Sequence, residues 1–440
     1  MNEVNPWAQR IILPQAVSFL PIIDEVQLSN ILNNAVNNYF EYVNPIIPLF
    51  TRSGFGSKPR SQILLLAIWV TGLSIDQHIP IIKEIRNFLL HRFTLELRKS
   101  YSHPTVDILQ AYIISISWRL GYRGKPTNTS ILCCIPIHLL HSLGLHQNPP
   151  NFLFSRHELI ERRLLYSGLI FLDSNWASGN NTPCIVNMDH AETYGDEIKP
   201  HEIKFILRSS KSAEEAVYDI TLISISKCNY IDCTILQAMR VLRHRIHVKT
   251  IESKELLEEV RGLQFKCRTL FLGFIRSMHD LKKVLLEYYK EVDKVSPLFE
   301  RAILSLNMRF RIVFRDITAL LLHLRPDLDG LPSRHTAECE GSPFIAEAVE
   351  AASQVAPIEN EFGLMPYHAS RPSHLGKTLI MLIKLKHLYR GPIDIKKQID
   401  TILERMAILK TVHSWSSQVT FNLYLADKFN GQTTSGRAQL

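Results

Sequence analysis

The chain has 440 residues, of which 46% are hydrophobic, and a formal net charge of +8 at pH 7. That composition excludes a disordered chain, and the charge, spread thinly and without a basic tail, excludes a polycationic arm. No apolar run reaches the ~18 residues needed to span a bilayer. The opening MNEVNPWAQR lacks a secretory apolar core, and seven cysteines form no regular framework, which together point to an intracellular protein with reduced thiols.

In chain order, helical periodicity recurs and period-2 strand patterns are scarce. Asp24, three residues before Gln27, opens a helix whose apolar stripe runs Leu28, Ile31, Leu32, Ala35, Val36, Tyr39, Phe40, Val43 and stops at Asn44-Pro45. Further helices are expected over roughly 60–75, 77–99, 104–121 and 128–143, with ILLLAIWVTGLSI at 63–75 having the length of a buried core helix. Ser155 and Glu158 form a capping box, and their helix should run to about Ala177, with Gly179 as its stop. A polar, irregular segment is read over 179–210, followed by helices near 213–226, 232–250, 252–293, 297–323, 343–355, 375–389 and 394–428. Loop signals peak at 325–343 and 365–374, and the last ten residues read as a mobile tail.

The stretch LLHSLGLHQNPPNF, 139–152, carries His141 and His146 either side of Leu-Gly-Leu. With Cys134 and His138 upstream, Cys134, His138 and His141 share a helical face and are zinc-ligand types. Positions seven apart lie roughly 10 Å apart along the axis, too far for one ion with bonds of ~2.0–2.3 Å. Gly144 is better explained as a left-handed helix stop, sealed by Leu145 and by Pro149-Pro150. LGKT at 375–378 ends like a phosphate-binding loop, but Arg371 stands where that loop needs a glycine. The strongest basic run, MRVLRHRIHVKT at 239–250, makes Arg240, Arg243 and Arg245 candidate nucleic-acid contacts. The competing reading is a solvated face paired with the acidic KELLEEV that follows, and Arg309, Arg311 and Arg315 are read the same way. Neither a G-x-S-x-G elbow nor an H-E-x-x-H pair is present, so the sequence offers no positive argument for an enzyme.

The order LGLHQNPP…SRHELIERRLLYSGLIFLDSNWASGNNTP resembles the signature of the fungal-specific transcription factor domain, the regulatory middle region of fungal zinc-cluster factors. The matching residues are Leu143, Gly144, Leu145 and His146, then Glu161, Arg162 and Arg163, then Leu172 and Asp173, then Pro183 ten residues on. Upstream, NNYFEYVNPIIPLFTRSGF resembles the opening helix of the family, with Tyr39, Phe40, Pro45, Pro48, Phe50 and Phe55 in the corresponding places. FIAEAVEAA and HSWSS resemble late helices of the family. Leu164 replaces a third arginine, Ser167 an aromatic residue, and Asn181-Thr182 the Gly-Arg of the turn.

The resemblance implies an all-α fold, a large array of antiparallel helices with few or no strands. It implies an N-terminal extension at 1–25, the signature part at 26–200, its C-terminal helical part at 201–430 and a tail at 431–440. It implies a nuclear, non-enzymatic role in transcription control, with transcription machinery or co-regulator proteins as partners. A dimer, a small hydrophobic effector and weak or indirect DNA contact are further expectations; a membrane and a resident cofactor are not. Zinc is expected only with a six-cysteine cluster, and no such run occurs in these residues. The alternative is a helical scaffold acting through protein partners without touching DNA. Arg162 and Arg163 are expected to pair with Glu158, Glu161, Asp173 or Asp189.

Overall fold

The computed structural model describes residues 24–45, 47–76, 79–100, 104–117, 129–147, 153–180, 184–186, 200–289, 292–324, 343–355, 371–386, 388–389 and 391–412. Among them every regular element is a helix, and the fold is all-α as expected. The chain divides into two compact units, residues 1–173 with 185–226, and residues 174–184 with 227–440.

The first unit opens with α1 (Glu25–Asn38), whose N-cap Asp24 accepts from the Gln27 N–H at 2.7 Å. A π-helical turn, Tyr39–Val43, carries it to Asn44. The short α2 (Arg52–Phe55) leads to α3 (Gln62–Leu73), in which Ile63 through Leu73 are all buried. A helix apolar on every side is a core helix, and α3 packs against α1, α4 (Pro80–Lys99) and α5 (Val106–Ser117). The α1–α3 approach depends on Gly72, where a Cβ would lie 1.9 Å from the Ala35 carbonyl oxygen. Then come α6 (Thr129–Ser142), α7 (Arg156–Asn180), α8 (Pro200–Ser209) and α9 (Ala213–His247); residues 174–180 of α7 and 227–247 of α9 belong to the second unit.

Two expectations are corrected here. The segment read as irregular to 210 contains α8, a ten-residue helix with Pro200 in its first turn. Its four apolar residues, Ile203, Phe205, Ile206 and Leu207, fall within five positions, too short a run to register as a period. The helices expected at 213–226 and 232–250 are one, α9. Asn229 lies in the gap between the two expected ranges and Asp232 at its edge; both are buried and turned to Arg309, so these polar side chains face the core without ending the helix.

In the second unit α10 (Ser253–Tyr289) packs along α11 (Val292–Thr318). Its buried residues Val260, Gln264, Cys267, Phe271, Phe274 and Met278 alternate three and four apart, the spacing of a coiled-coil seam. A 3-10 turn, Ala319–Leu324, follows, and α12 (Pro343–Ser353), α13 (Arg371–Leu385) and α14 (Ile395–Val412) close on a second core around Val349, Leu379, Leu382, Ile399 and Ile402. The LGKT tetrad forms the second turn of α13. The helix expected to 428 and the HSWSS similarity extend beyond the described residues, as do both expected long loops apart from Pro343 and 371–374 at helix starts.

Replacing Gly72 by Ala should cost about 3 kcal/mol or more, since main chain cannot yield to the new methyl. Urea unfolding of the variant measures this; a loss below about 0.5 kcal/mol would contradict the packing.

Candidate functional site

Gly144, Leu145, His146 and Arg162 of the signature come together in the first unit at the turn between α6 and α7. Gly144 has φ of 61°, the left-handed conformation glycine adopts without steric cost. Its N–H donates to the His141 carbonyl at 3.0 Å, and the Leu145 N–H donates to the Leu140 carbonyl at 3.0 Å. These two bonds make a complete Schellman stop, with Leu145 fully buried beneath it. On the other side of the turn the Ser155 N–H donates to Glu158 Oε2 at 2.9 Å, and the Glu158 N–H returns to Ser155 Oγ at 3.3 Å. The Ser155 N–H and, at 2.9 Å, its hydroxyl both donate to Oε2 and hold the Glu158 carboxyl below its usual range.

Arg162 joins the two ends. From α7 its Nη2 donates to the carbonyls of Leu143 at 3.2 Å and Gly144 at 3.1 Å. The last carbonyls of a helix have no intrahelical donor and carry partial negative charge, so a cation there is favourable twice over. The Phe154 ring lies 4.4 Å from the same guanidinium. The His141 and His146 rings lie tilted against each other beside this stop, their centroids 4.6 Å apart. Among the described residues no group of three or more His, Cys, Asp or Glu is arranged to hold a metal.

Glu161, one residue earlier and only 2% exposed, faces inward. Arg60 grips both its oxygens, and Lys58 Nζ lies 3.3 Å from Oε2. Arg60 also donates to the carbonyls of Gly54 at 2.8 Å and Phe55 at 3.2 Å, lies 3.6 Å from Asp107 and sits over the Phe50 and Phe55 rings. One buried ion cluster therefore ties the 54–60 loop, α5 and α7 together. Arg163 turns away from it to Glu202 of α8, at 2.8 Å. Asp173 accepts from the N–H groups of Ile185 at 2.8 Å and Val186 at 2.9 Å.

The Tyr39–Phe40 end of α1 is secured by residues that sequence reasoning missed. Asn44 Oδ1 accepts from the Leu49 N–H at 3.0 Å, and its Nδ2 donates to the Phe50 carbonyl at 2.9 Å, clamping the Pro45–Pro48 segment into a closed loop. That loop lies on α7 at Gly168, where a Cβ would meet Ile47 at 3.0 Å. Phe40 packs edge-on against Phe55, and the Tyr218 hydroxyl from α9 donates to the Phe40 carbonyl. Beside it Asp219 accepts from the N–H groups of Arg52 and Ser53 and from the Ser53 hydroxyl. Burial pushes the Asp219 carboxyl up to about 6 against the pull of those donors. Pro183 is outside the described residues.

Residues 36–248 match the fungal specific transcription factor domain. The chain carries a fungal specific transcription factor domain. No curated protein matches the chain. A fungal specific transcription factor domain indicates the regulatory region of a fungal transcription factor, and the signature segments described above lie within the match. No helix among the described residues is long and apolar enough to cross a membrane.

The basic run sits at the end of α9, at the C-terminal edge of the fungal transcription factor domain. Arg245 pairs with Glu255 and Glu259 of the KELLEEV segment. Arg240 and Arg243 are partly buried, and burial lowers Arg243 from the ordinary guanidinium value. Arg309 and Arg315, read as a surface feature, are instead buried: Arg309 binds Asn229 and lies 3.6 Å from Asp232, while Arg315 binds Asp316 and Thr378. Burial pushes Asp232 up to about 7, with Arg309 opposing.

Two measurements probe this site. Gly144→Ala should cost about 1 kcal/mol from backbone conformation alone, because its Cβ would meet nothing within 4 Å. Arg162→Ala should cost more, about 2 kcal/mol, by stripping donors from two carbonyls; equal losses in urea titrations would contradict the capping role. For Asp219, a raised folded value means the protonated form is favoured in the fold. Wild type should therefore gain stability relative to Asp219→Asn as pH falls through about 6, with the gain complete near the unfolded value of about 3.9. A pH-independent difference between the two proteins would contradict the burial argument.

Proposed function

We propose that this chain is the effector-response region of a fungal transcription factor, acting in the nucleus on DNA-templated transcription and without catalytic activity of its own. The observation that carries the reading is the α6–α7 turn. Gly144, Arg162 and the Ser155–Glu158 box form one closed unit inside the residues that match the family. Those residues serve structure: each is engaged in holding helix ends. The clusters described above are likewise built of groups bonded to one another, which favours a body that binds and transmits over one that turns over substrate.

DNA is reached through another segment or a partner, on this reading. The support is that Arg245 of the basic run is committed to Glu255 and Glu259. Transcription machinery or co-regulator proteins are the direct partners, and a small hydrophobic effector is the signal.

A reporter assay tests this. The chain fused to an unrelated DNA-binding module should change transcription from the matching promoter, up or down, by severalfold. The unfused chain should give no salt-dependent gel shift with duplex DNA. A folded, nuclear fusion that leaves transcription unchanged would contradict the proposal, and a steep salt-dependent shift by the unfused chain would contradict its DNA clause.

A further inference from the structure

The helix α10 presents a long solvent face opposite its seam with α11. On it Phe265 is 73% exposed and Leu272 46% exposed. The same face carries Gly262 and Gly273, where an added Cβ would meet nothing within 4 Å. A glycine in a helix interior is unfavourable unless close approach requires it, and among the described residues nothing approaches either one. Exposed Glu258 lies one turn before Gly262, and exposed Arg276 lies one turn beyond Leu272.

These residues complement one another under a two-fold axis. If two copies of α10 cross antiparallel with the axis at Thr269, residues whose numbers are equally far from 269 face each other. Phe265 then lies over Gly273 of the second copy, and Arg276 lies over Gly262. Large side chain meets missing side chain at both levels, twice by symmetry. Arg276, passing over Gly262, ends about 6 Å along the axis from Glu258 of the second copy, within reach of its guanidinium. Asp280, the acid level with Glu258, is paired at 3.2 Å with Lys283 of its own helix. Leu272 covers the aliphatic stem of Lys266.

We propose that this face of α10 is the contact between two copies of the chain, an antiparallel helix pair centred on Thr269. The stripe from Glu255 to Lys283 is about 40 Å long and one helix wide, at the small end of specific interfaces. An interface of that size suits a weak, transient dimer, one that responds to local concentration, as when two copies are brought together on one DNA.

Sedimentation velocity over a micromolar concentration series tests it, with circular dichroism on the same samples to verify folding. Wild type should convert from monomer to dimer. Glu258→Arg and Arg276→Glu, both on the surface, should each weaken the dimer about tenfold, and the two together in one chain should restore it. Recovery by the double exchange separates a true contact from a folding defect. A wild-type chain that stays monomeric throughout, or a dimer that neither single exchange weakens, would overturn the proposal.

Discussion

A carboxylate cannot lie inside a helical body unless cations and donors surround it, because removing it from water costs several kcal/mol. Glu161 is in that position, and the first unit is arranged around satisfying it. Arg60 must reach inward from its loop, which fixes the loop against the Phe50 and Phe55 rings. The same loop hands its Gly54 and Phe55 carbonyls to Arg60 and its Arg52 and Ser53 N–H groups to Asp219. Once Glu161 is committed inward, Arg162, the next residue of α7, can turn to the end of α6 and Arg163 to α8. Three consecutive charged residues thus hold three different parts of the unit.

The parts legible in the sequence are those whose chemistry is local. Gly144 stops α6, and Ser155 with Glu158 starts α7, through bonds between residues a few positions apart, so spacing alone reveals them. The all-apolar α3 announces itself through composition. Glu161 and Arg163 were visible as family signature residues, but their partners were not. Arg60 is 101 residues from Glu161, and Tyr218 is 174 residues from Asn44. Nothing in a window of ten or twenty residues distinguishes Arg60, Asn44 or Tyr218 from ordinary surface polar groups.

The same limit explains the misplaced break in α9. Asn229 and Asp232 interrupt an apolar pattern, and a pattern reader ends the helix there. Their partner Arg309 stands 80 residues from Asn229, and it converts two apparent helix-breakers into core residues. Arg309 itself was misread for the mirror-image reason: its charge suggested solvent, while the fold supplied an acid. In both units buried charge is balanced by a residue remote in sequence. Removing one partner of such a pair leaves the other as an uncompensated buried charge, which is why both must be kept together.

The organisation of the first unit rests on Arg60 and Glu161 acting together. A double-mutant cycle with Arg60→Met, Glu161→Gln and the combined variant, read by urea unfolding, measures this directly. Each single change should cost about 3 kcal/mol or more, while the pair together should cost little more than either alone, a coupling of about 2 kcal/mol or greater. Additive losses, with coupling near zero, would mean that the two side chains are merely neighbours and that another interaction organises the unit.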